Sequence, residues 1–486
     1  MLPFDNTFVR LPEHFYAHVR PAKVRAPRVL ALNHALARLL GADPAELSGE
    51  RAAALLSGND LPEGAQPIAL AYAGHQFGSF VHQLGDGRAI LLGEVVGTDG
   101  VRRDVQLKGS GHTPFSRGGD GRAAIGPVLR EYLVSEAMFA LGIPTTRSLA
   151  AVATGEPVHR EEVLQGAVLT RVAASHLRVG TFQYLAARDD VDGVRKLTAY
   201  ALARHYSDAE GDPALALLDR VVAAQARLVA RWMGVGFVHG VMNTDNTSIS
   251  GETIDYGPCA FLDAYDPRRT FSSIDRGGRY AFANQPRIAL WNCARLAEAL
   301  LPLVHEDEDE AARLATASLD RFGEIFNAAY RDMARAKVGL VHEEEGDLAL
   351  WQDLLERLAT GEVDHTRFFR RLCDAAEDAG ADAHVAPLFR DPGAFGDWAG
   401  RWRARAARED VSGAERAKAM RRANPAFIPR NHRVEEALRA AGEGDLAPFE
   451  TLAKVLSRPY EDQPEAAHLM EPPGEEQRGY RTFCGT

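Results

Sequence analysis

Within the stretch GFVHGVMNTDNTSISGETIDYG, residues 236–257, Asp245, Asn246 and Asp255 bring three hard oxygen donors close together in sequence. Two carboxylates and an amide spaced across a loop can hold a divalent cation of the magnesium type beside a reacting phosphate, because such ions prefer oxygen ligands. Asn, Thr and Gly are also ordinary turn residues, so the residue types alone leave a polar turn open. A second group of candidates surrounds Lys108, one of only six lysines. It closes the alternating run VQLK and is followed by GSGHTPFSRGGDGRAAIG, a glycine-punctuated loop containing Asp120 and Gly121. Such a loop can wrap a polyphosphate through its backbone N–H groups, although the GxxxxGK[ST] order of a P-loop is missing. Upstream, AYAGHQFGSFVHQLGDGR ends in Gly85, Asp86, Gly87 and Arg88. There glycine permits close backbone approach and arginine can meet phosphate, while GDG between apolar runs is also a plain hairpin signal. His75 and His82 lack metal-ligand partners and read as structural.

Positioning these groups requires a sheet, a helix and a helical platform. Strand-like runs at 89–96 and 101–108 are followed by a helix over 126–141, with Leu129, Leu133, Ala137 and Leu141 on one side and Gly142 as its stop. Further strands at 145–152 and 167–172 complete an antiparallel sheet carrying that one helix. Arg171 ends the last strand and Arg178 follows beyond a short linker, two arginines at a junction near the phosphate candidates. Glu131 and Glu136 both lie on the helix, and either can partner Lys108. From residue 179 the pattern turns helical, with Leu217, Val221, Ala224, Leu228 and Trp232 at helical spacing leading into the opening loop. Amphipathic helices are expected near 288–301, 319–333 and 348–358.

Three other segments receive structural readings. Residues 28–40 are expected to be an Ala/Leu-rich helix stopped by Gly41. The runs HEDEDE at 305–310 and RWRARAARED at 401–410 are read as solvated helix faces, not as a metal site or a nucleic-acid patch. The two prolines of NPAFIPRNHR, 424–433, argue against a continuous helix.

At 486 residues the chain can form two or three lobes, and 46% hydrophobic with 25% charged residues is a globular composition. A net charge of −11 argues against nucleic-acid binding through bulk charge. Four cysteines without a CxxC pair suggest neither a zinc site nor a disulfide framework. No signal-peptide pattern and no run of eighteen apolar residues occurs. The expectation is a cytoplasmic protein, with no membrane span and no nucleic-acid partner, and a monomer by default.

The order of the opening stretch is also informative. Kinase catalytic loops run HRDxxxxN and are followed by DFG; here His239 and Asn246 keep that spacing, Asp255 opens DYG, and Val241 stands where the catalytic Asp would be. Together, GDGR, QLKGSGHTPFSRGGDGR, LREYLVSEA, LTRVAASHLRVGTFQ, GFVHGVMNTDN, DYGP, FANQP, NPAFIPRNHR and the FCGT tail resemble the selenoprotein O family over nearly the whole chain. The resemblance implies an α+β, protein-kinase-like bilobal fold. Its parts would be an N-terminal lobe at 1–175, a C-terminal lobe core at 176–300 and a helical extension at 301–486. It implies protein adenylylation, with ATP reversed in the cleft, AMP passed to Ser, Thr or Tyr hydroxyls of proteins, and pyrophosphate released.

By the same resemblance, Lys108, held by Glu131, and Arg171 would grip the terminal phosphates. Gly85, Gly87, Arg88, Asp120, Gly121, Arg178 and Asp255 would complete the nucleotide pocket. Asn246 and Asp255 would bind Mg2+ or Mn2+, and Asp245 would be the general base. Some relatives pair an activation-segment cysteine with the tail cysteine. Here the matching PRRTFSS has Phe271 and no thiol, which leaves Cys259 as the nearby thiol and Cys484 at the tail. A kinase-like phosphotransferase, a uridylyl transfer from UTP with manganese, and a silent ATP-binding scaffold are the competing readings.

Overall fold

Apolar runs in the first 173 residues pair into an antiparallel sheet. The computed structural model describes residues 2–477 and 479–482, so Cys484 lies outside the described residues. The strands are β1 (Tyr16–His18), β2 (Arg28–Leu32), β3 (Ile68–Leu70), the hairpin β4 (Gly74–Gln76) and β5 (Ser79–Val81), β6 (Ala89–Val96), β7 (Arg102–Lys108), β8 (Ala123–Ala124), β9 (Arg147–His159) and β10 (Val163–Ala173). The main sheet runs β1-β3-β6-β7-β10-β9-β2, with β8 added beside β10. Its central strands are buried on both faces, which is why β6 reads AILLGEVV without clean alternation. One face packs on α1 (His34–Leu39) and α2 (Gly49–Ser57), where Leu36, Leu40 and Leu56 meet Val105, Val152 and Val172. The other carries α3 (Ile125–Ala140), whose Leu129 and Leu133 meet Ala151 and Leu169.

The helix expected over 28–40 is a correction: Arg28–Leu32 is a strand paired with β9, and only His34–Leu39 is helical. An apolar run of that length has no decisive period, and the exposed edge of β9 decided it. Asn33 separates the two elements, accepting Leu36 N–H at 3.0 Å and donating to Glu136 at 2.7 Å. GDGR is not a hairpin turn either. Asp86 is buried and accepts from Leu70 N–H at 3.2 Å and Gln106 Nε2 at 2.9 Å, which draws the segment inward.

Helices dominate the remainder, which also holds the pair β11 (Phe237–Val238) and β12 (Ala260–Phe261). Helices α4 (Val179–Ala186), α5 (Val191–His205), α6 (Pro213–Val235), α7 (Gln285–Val304) and α8 (Glu308–Val338) share one core. The long α6 starts with Asp212 accepting from Ala214 and Leu215 N–H and stops at Gly236, φ +74°. Its end delivers the chain directly into the HGVMNTDN loop.

Helices α9 (Asp347–Thr360), α10 (His365–Glu377), α11 (Asp382–Val385), α12 (Gly393–Ala406) and α13 (Gly413–Ala423) follow. The basic run of α12 is a second correction. Trp402 and Arg405 are buried, Trp402 stacks on Trp398 at 5.5 Å, and Arg405 pairs with Asp347 at 2.7 Å and Glu409 at 3.2 Å. Finally α14 (Asn431–Gly442) and α15 (Ala447–Leu456) return to α3, so Leu129, Tyr132, Val434 and Phe449 share a core. No helix among the described residues is long and apolar enough to cross a membrane.

Arg430 anchors that return. It is 2% exposed and pairs with Asp263 and, through two donors at 2.9 and 3.0 Å, with Asp364. Arg430→Ala strands two inward carboxylates and is expected to cost about 3 kcal/mol or more. A urea unfolding midpoint equal to that of the unaltered protein would contradict this assignment.

Candidate active site

Strand registry assembles the cationic end of the site. Residues two apart on a strand share a face, so Gln106 and Lys108 at the end of β7 point together, and Arg171 of β10 sits opposite Gln106. Helix α3 brings Glu131 against them. Lys108 Nζ donates to Glu131 at 2.6 Å and to Asp255 at 2.5 Å. Arg171 Nη1 donates to Asp255 at 2.7 Å and Glu131 at 3.2 Å, while its Nε and Nη2 donate to Gln106 Oε1 at 3.1 and 2.7 Å. Glu136, the other acidic residue of α3, is paired instead with Arg147 at 2.6 Å. Arg178, buried at the start of α4, stacks 4.5 Å from the Tyr72 ring centre, donates to the Asp245 carbonyl at 2.8 Å and lies 3.5 Å from Asp255.

Asp255 is the hub of this cluster. It sits at φ +64°, a left-handed conformation that Asp tolerates better than most residues. Burial would raise its carboxyl, but Lys108, Arg171 and Arg178 outweigh burial and hold it well below the usual carboxylate range. A fifth of its side chain remains open to the cleft.

The loop opposite is held by its own polar residues. His239 donates through Nε2 to the Ile254 carbonyl at 2.9 Å and accepts the Val241 N–H at Nδ1, tying the two halves of the opening stretch together. Asn243 Oδ1 accepts Phe77 N–H at 3.1 Å and Tyr280 hydroxyl at 2.6 Å. Thr244 Oγ1 accepts His75 N–H at 2.7 Å, so the β4–β5 hairpin is clamped onto a turn over Thr244–Asn246. Inside that clamp Asp245 is 8% exposed. Burial pushes its carboxyl up to about 6, against the opposing pull of Arg178. Its Oδ2 is 3.4 Å from Gln76 Nε2, and its Oδ1 has no hydrogen-bond partner.

All twelve residues singled out from the sequence line one cleft of about 640 Å3. A second cavity of about 690 Å3, walled by Tyr265, Pro267, Arg269 and Pro472, contains none of them. The whole chain also matches known proteins. Residues 1–457 match the family described as protein adenylyltransferase SelO. The chain belongs to the SelO family. It is 62% identical over 495 residues to the protein nucleotidyltransferase YdiU of Methylorubrum populi and 61% identical over 487 residues to that of Bradyrhizobium sp. strain BTAi1. In both cases the match covers 100% of this chain and 99% of the relative. The chain is therefore an enzyme of the nucleotidyltransferase class.

In this SelO member two of the cleft's glycines are also required by the packing of the chain itself. A Cβ on Gly85 would stand 2.4 Å from the Phe115 ring, and one on Gly121 would stand 2.0 Å from the Gly111 carbonyl oxygen. They admit neighbouring chain, with positive φ at both positions, and so shape the glycine-rich loop itself. Asp120 lies at the rim, its carboxylate gripped by Arg160 at 2.9 and 3.0 Å.

Three participants were not singled out from the sequence: Gln106, which orients Arg171; Gln76, beside Asp245; and Tyr72, beneath Arg178. The alternation of VQLK was the available signal for Gln106. Among the described residues no group of three or more His, Cys, Asp or Glu side chains could hold a metal. The cleft-facing carboxylate of Asp255 and the amide oxygen of Asn246 do fit a hard cation that takes further oxygens from a ligand. Asn246 uses its Nδ2 on the Val241 carbonyl at 3.0 Å, which turns its amide oxygen to other ligands. Cys259 is buried, with its thiol pushed up to about 11 by burial, and is a poor candidate for thiolate chemistry.

Proposed function

We propose that the cleft binds ATP with its triphosphate against the cationic end and transfers AMP to Ser, Thr or Tyr hydroxyls of a protein, releasing pyrophosphate. The observation that carries this reading is a buried carboxylate, Asp245, having one unused oxygen, in the same cleft as the cations Lys108 and Arg171 gathered on Asp255, with Arg178 touching both parts. A phosphotransferase of kinase type would need its base at position 241, where the side chain is valine. The kinase-like division into lobes at 1–175 and 176–300 with an extension at 301–486 belongs to this proposal, as does action on proteins in the cytoplasm.

In the transfer, the acceptor hydroxyl oxygen forms a bond to the α-phosphorus and its proton passes to Asp245, a step that needs a carboxylate within hydrogen-bond reach. The bond from the α-phosphorus to the bridging oxygen breaks, and its electron pair leaves with pyrophosphate. Lys108 and Arg171 stabilise the charge that accumulates there, with Glu131 and Gln106 fixing their direction. Arg178 steadies the Asp245 backbone and faces the phosphates. Gly85, Gly87, Arg88, Asp120 and Gly121 line the outer pocket. Mg2+ or Mn2+, held by Asn246 and Asp255, would neutralise phosphate charge. Incubation of acceptor protein with ATP and either ion is expected to give hydroxyl side chains carrying AMP by mass spectrometry. Acceptors carrying only phosphate would overturn the proposal.

A further inference from the structure

Arg279 is a cation that the protein holds in place without a carboxylate. In a chain of net charge −11, the segment 265–287 carries Arg268, Arg269, Arg276, Arg279 and Arg287 against only Asp266 and Asp275. Asp275 is buried, and its two oxygens accept the backbone N–H groups of Arg279 and Tyr280 at 2.9 and 2.8 Å. Aromatic rings hold the Arg279 guanidinium instead, 4.7 Å from the Trp291 ring centre and 5.7 Å from that of Tyr280. Its Nε is buried without a hydrogen-bond partner. The other guanidinium over Trp291, that of Arg295, is neutralised by Glu298 at 2.6 Å.

A lone surface arginine is ordinarily a solvated group. Arg279 differs because ordering a long side chain costs rotamer entropy, and no acid among the described residues offsets that cost. Stacking on a ring leaves the outward N–H donors free for a planar carboxylate.

Position links this cation to the reaction. The guanidinium lies over the tip of the β4–β5 hairpin, where a Cβ on Gly78 would be 3.6 Å from its Cζ. The same hairpin clamps the Asp245 turn, and the hydroxyl of the neighbouring Tyr280 binds Asn243 two residues before Asp245. Ile274, five residues before Arg279 in the same segment and 60% exposed, lines the cleft. An acceptor segment whose hydroxyl reaches Asp245 passes this wall.

We propose that Arg279 and Ile274 form the docking surface for the acceptor protein and select a segment with Asp or Glu beside the hydroxyl to be modified. The proposal rests on the transferase reading above and adds a substrate class to it. The test uses hydroxyl-bearing peptides of one core sequence flanked by Asp or by Lys, with ATP labelled in the α-phosphate, and the unaltered enzyme, Arg279→Lys and Arg279→Glu. The unaltered enzyme and Arg279→Lys are expected to favour the Asp-flanked peptide by about tenfold in kcat/KM, a typical size for one charge pair. Arg279→Glu is expected to favour the Lys-flanked peptide, with unchanged affinity for ATP. Absence of a flank preference, or a preference unchanged in Arg279→Glu, overturns the docking proposal while leaving the transferase reading intact. No label on any peptide with the unaltered enzyme overturns the transferase reading, and the docking proposal with it.

Discussion

Asp255→Asn is expected to lower nucleotidyl transfer by about 10^3-fold or more, the scale on which a group stabilising developing charge acts. Asn is the informative replacement because it tolerates the left-handed backbone that residue 255 adopts. The substitution removes the negative charge shared by Lys108, Arg171 and Arg178. Breaking a buried ion pair from one side costs about 3–5 kcal/mol, and the partial opening of Asp255 to the cleft places the expected loss at the lower end. Because the folded-state carboxyl lies well below 3.8, its stabilising contribution is present above that pH and is lost as pH falls through the depressed value. Asp255→Asn should therefore unfold more readily than the unaltered protein at neutral pH and approach it in strong acid. Inorganic pyrophosphate should raise the melting temperature of the variant more than that of the unaltered protein, since an anion replaces the missing charge. Equal melting curves at neutral pH would contradict the hub role of Asp255.

Asp245→Asn separates chemistry from stability in the opposite direction. Loss of the general base proposed at Asp245 is expected to lower the rate by about 10^2–10^4-fold, and nucleotide affinity is expected to hold because Lys108 and Arg171 keep their partners. Stability should rise. The Asp245 carboxyl is pushed up to about 6 in the folded protein against 3.8 when exposed, so between those values the folded state retains a proton that the unfolded chain has released. Stability of the unaltered, metal-free protein falls as pH rises through that window, and the loss is complete above about 6. Asp245→Asn does not ionise and escapes it, gaining on the order of 1–3 kcal/mol at neutral pH. Urea unfolding in the presence of a chelator at several pH values measures this difference directly. A variant that is both inactive and less stable at neutral pH would mark Asp245 as a structural residue.

The parts of the fold and site legible in the sequence were those fixed by neighbours along the chain. Strand β6 and helix α3 fall within a residue of their expected ends because their termini carry local signals, Gly87 and Gly97 around one and Gly142 after the other. The Asp245, Asn246 and Asp255 set was visible because motif order is itself local information. What failed depended on distant partners. Residues 28–32 became a strand because β9 offered an edge, and Arg405 went inward because Asp347 and Glu409 come to meet it. Gln106 looked like any polar residue in a strand until β10 placed Arg171 opposite it. The choice between Glu131 and Glu136, left open by helical spacing, was decided by Arg147, which claims Glu136.

The reaction proposed for the cleft transfers the α-phosphate end of ATP. The most direct measurement is a paired assay in which one reaction carries label on the α-phosphate and the other on the γ-phosphate, with Asp245→Asn and Asp255→Asn as controls. Protein-bound label is expected from the α-phosphate alone and is lost in both variants. Label from the γ-phosphate, or α-label that survives in both variants, would contradict it.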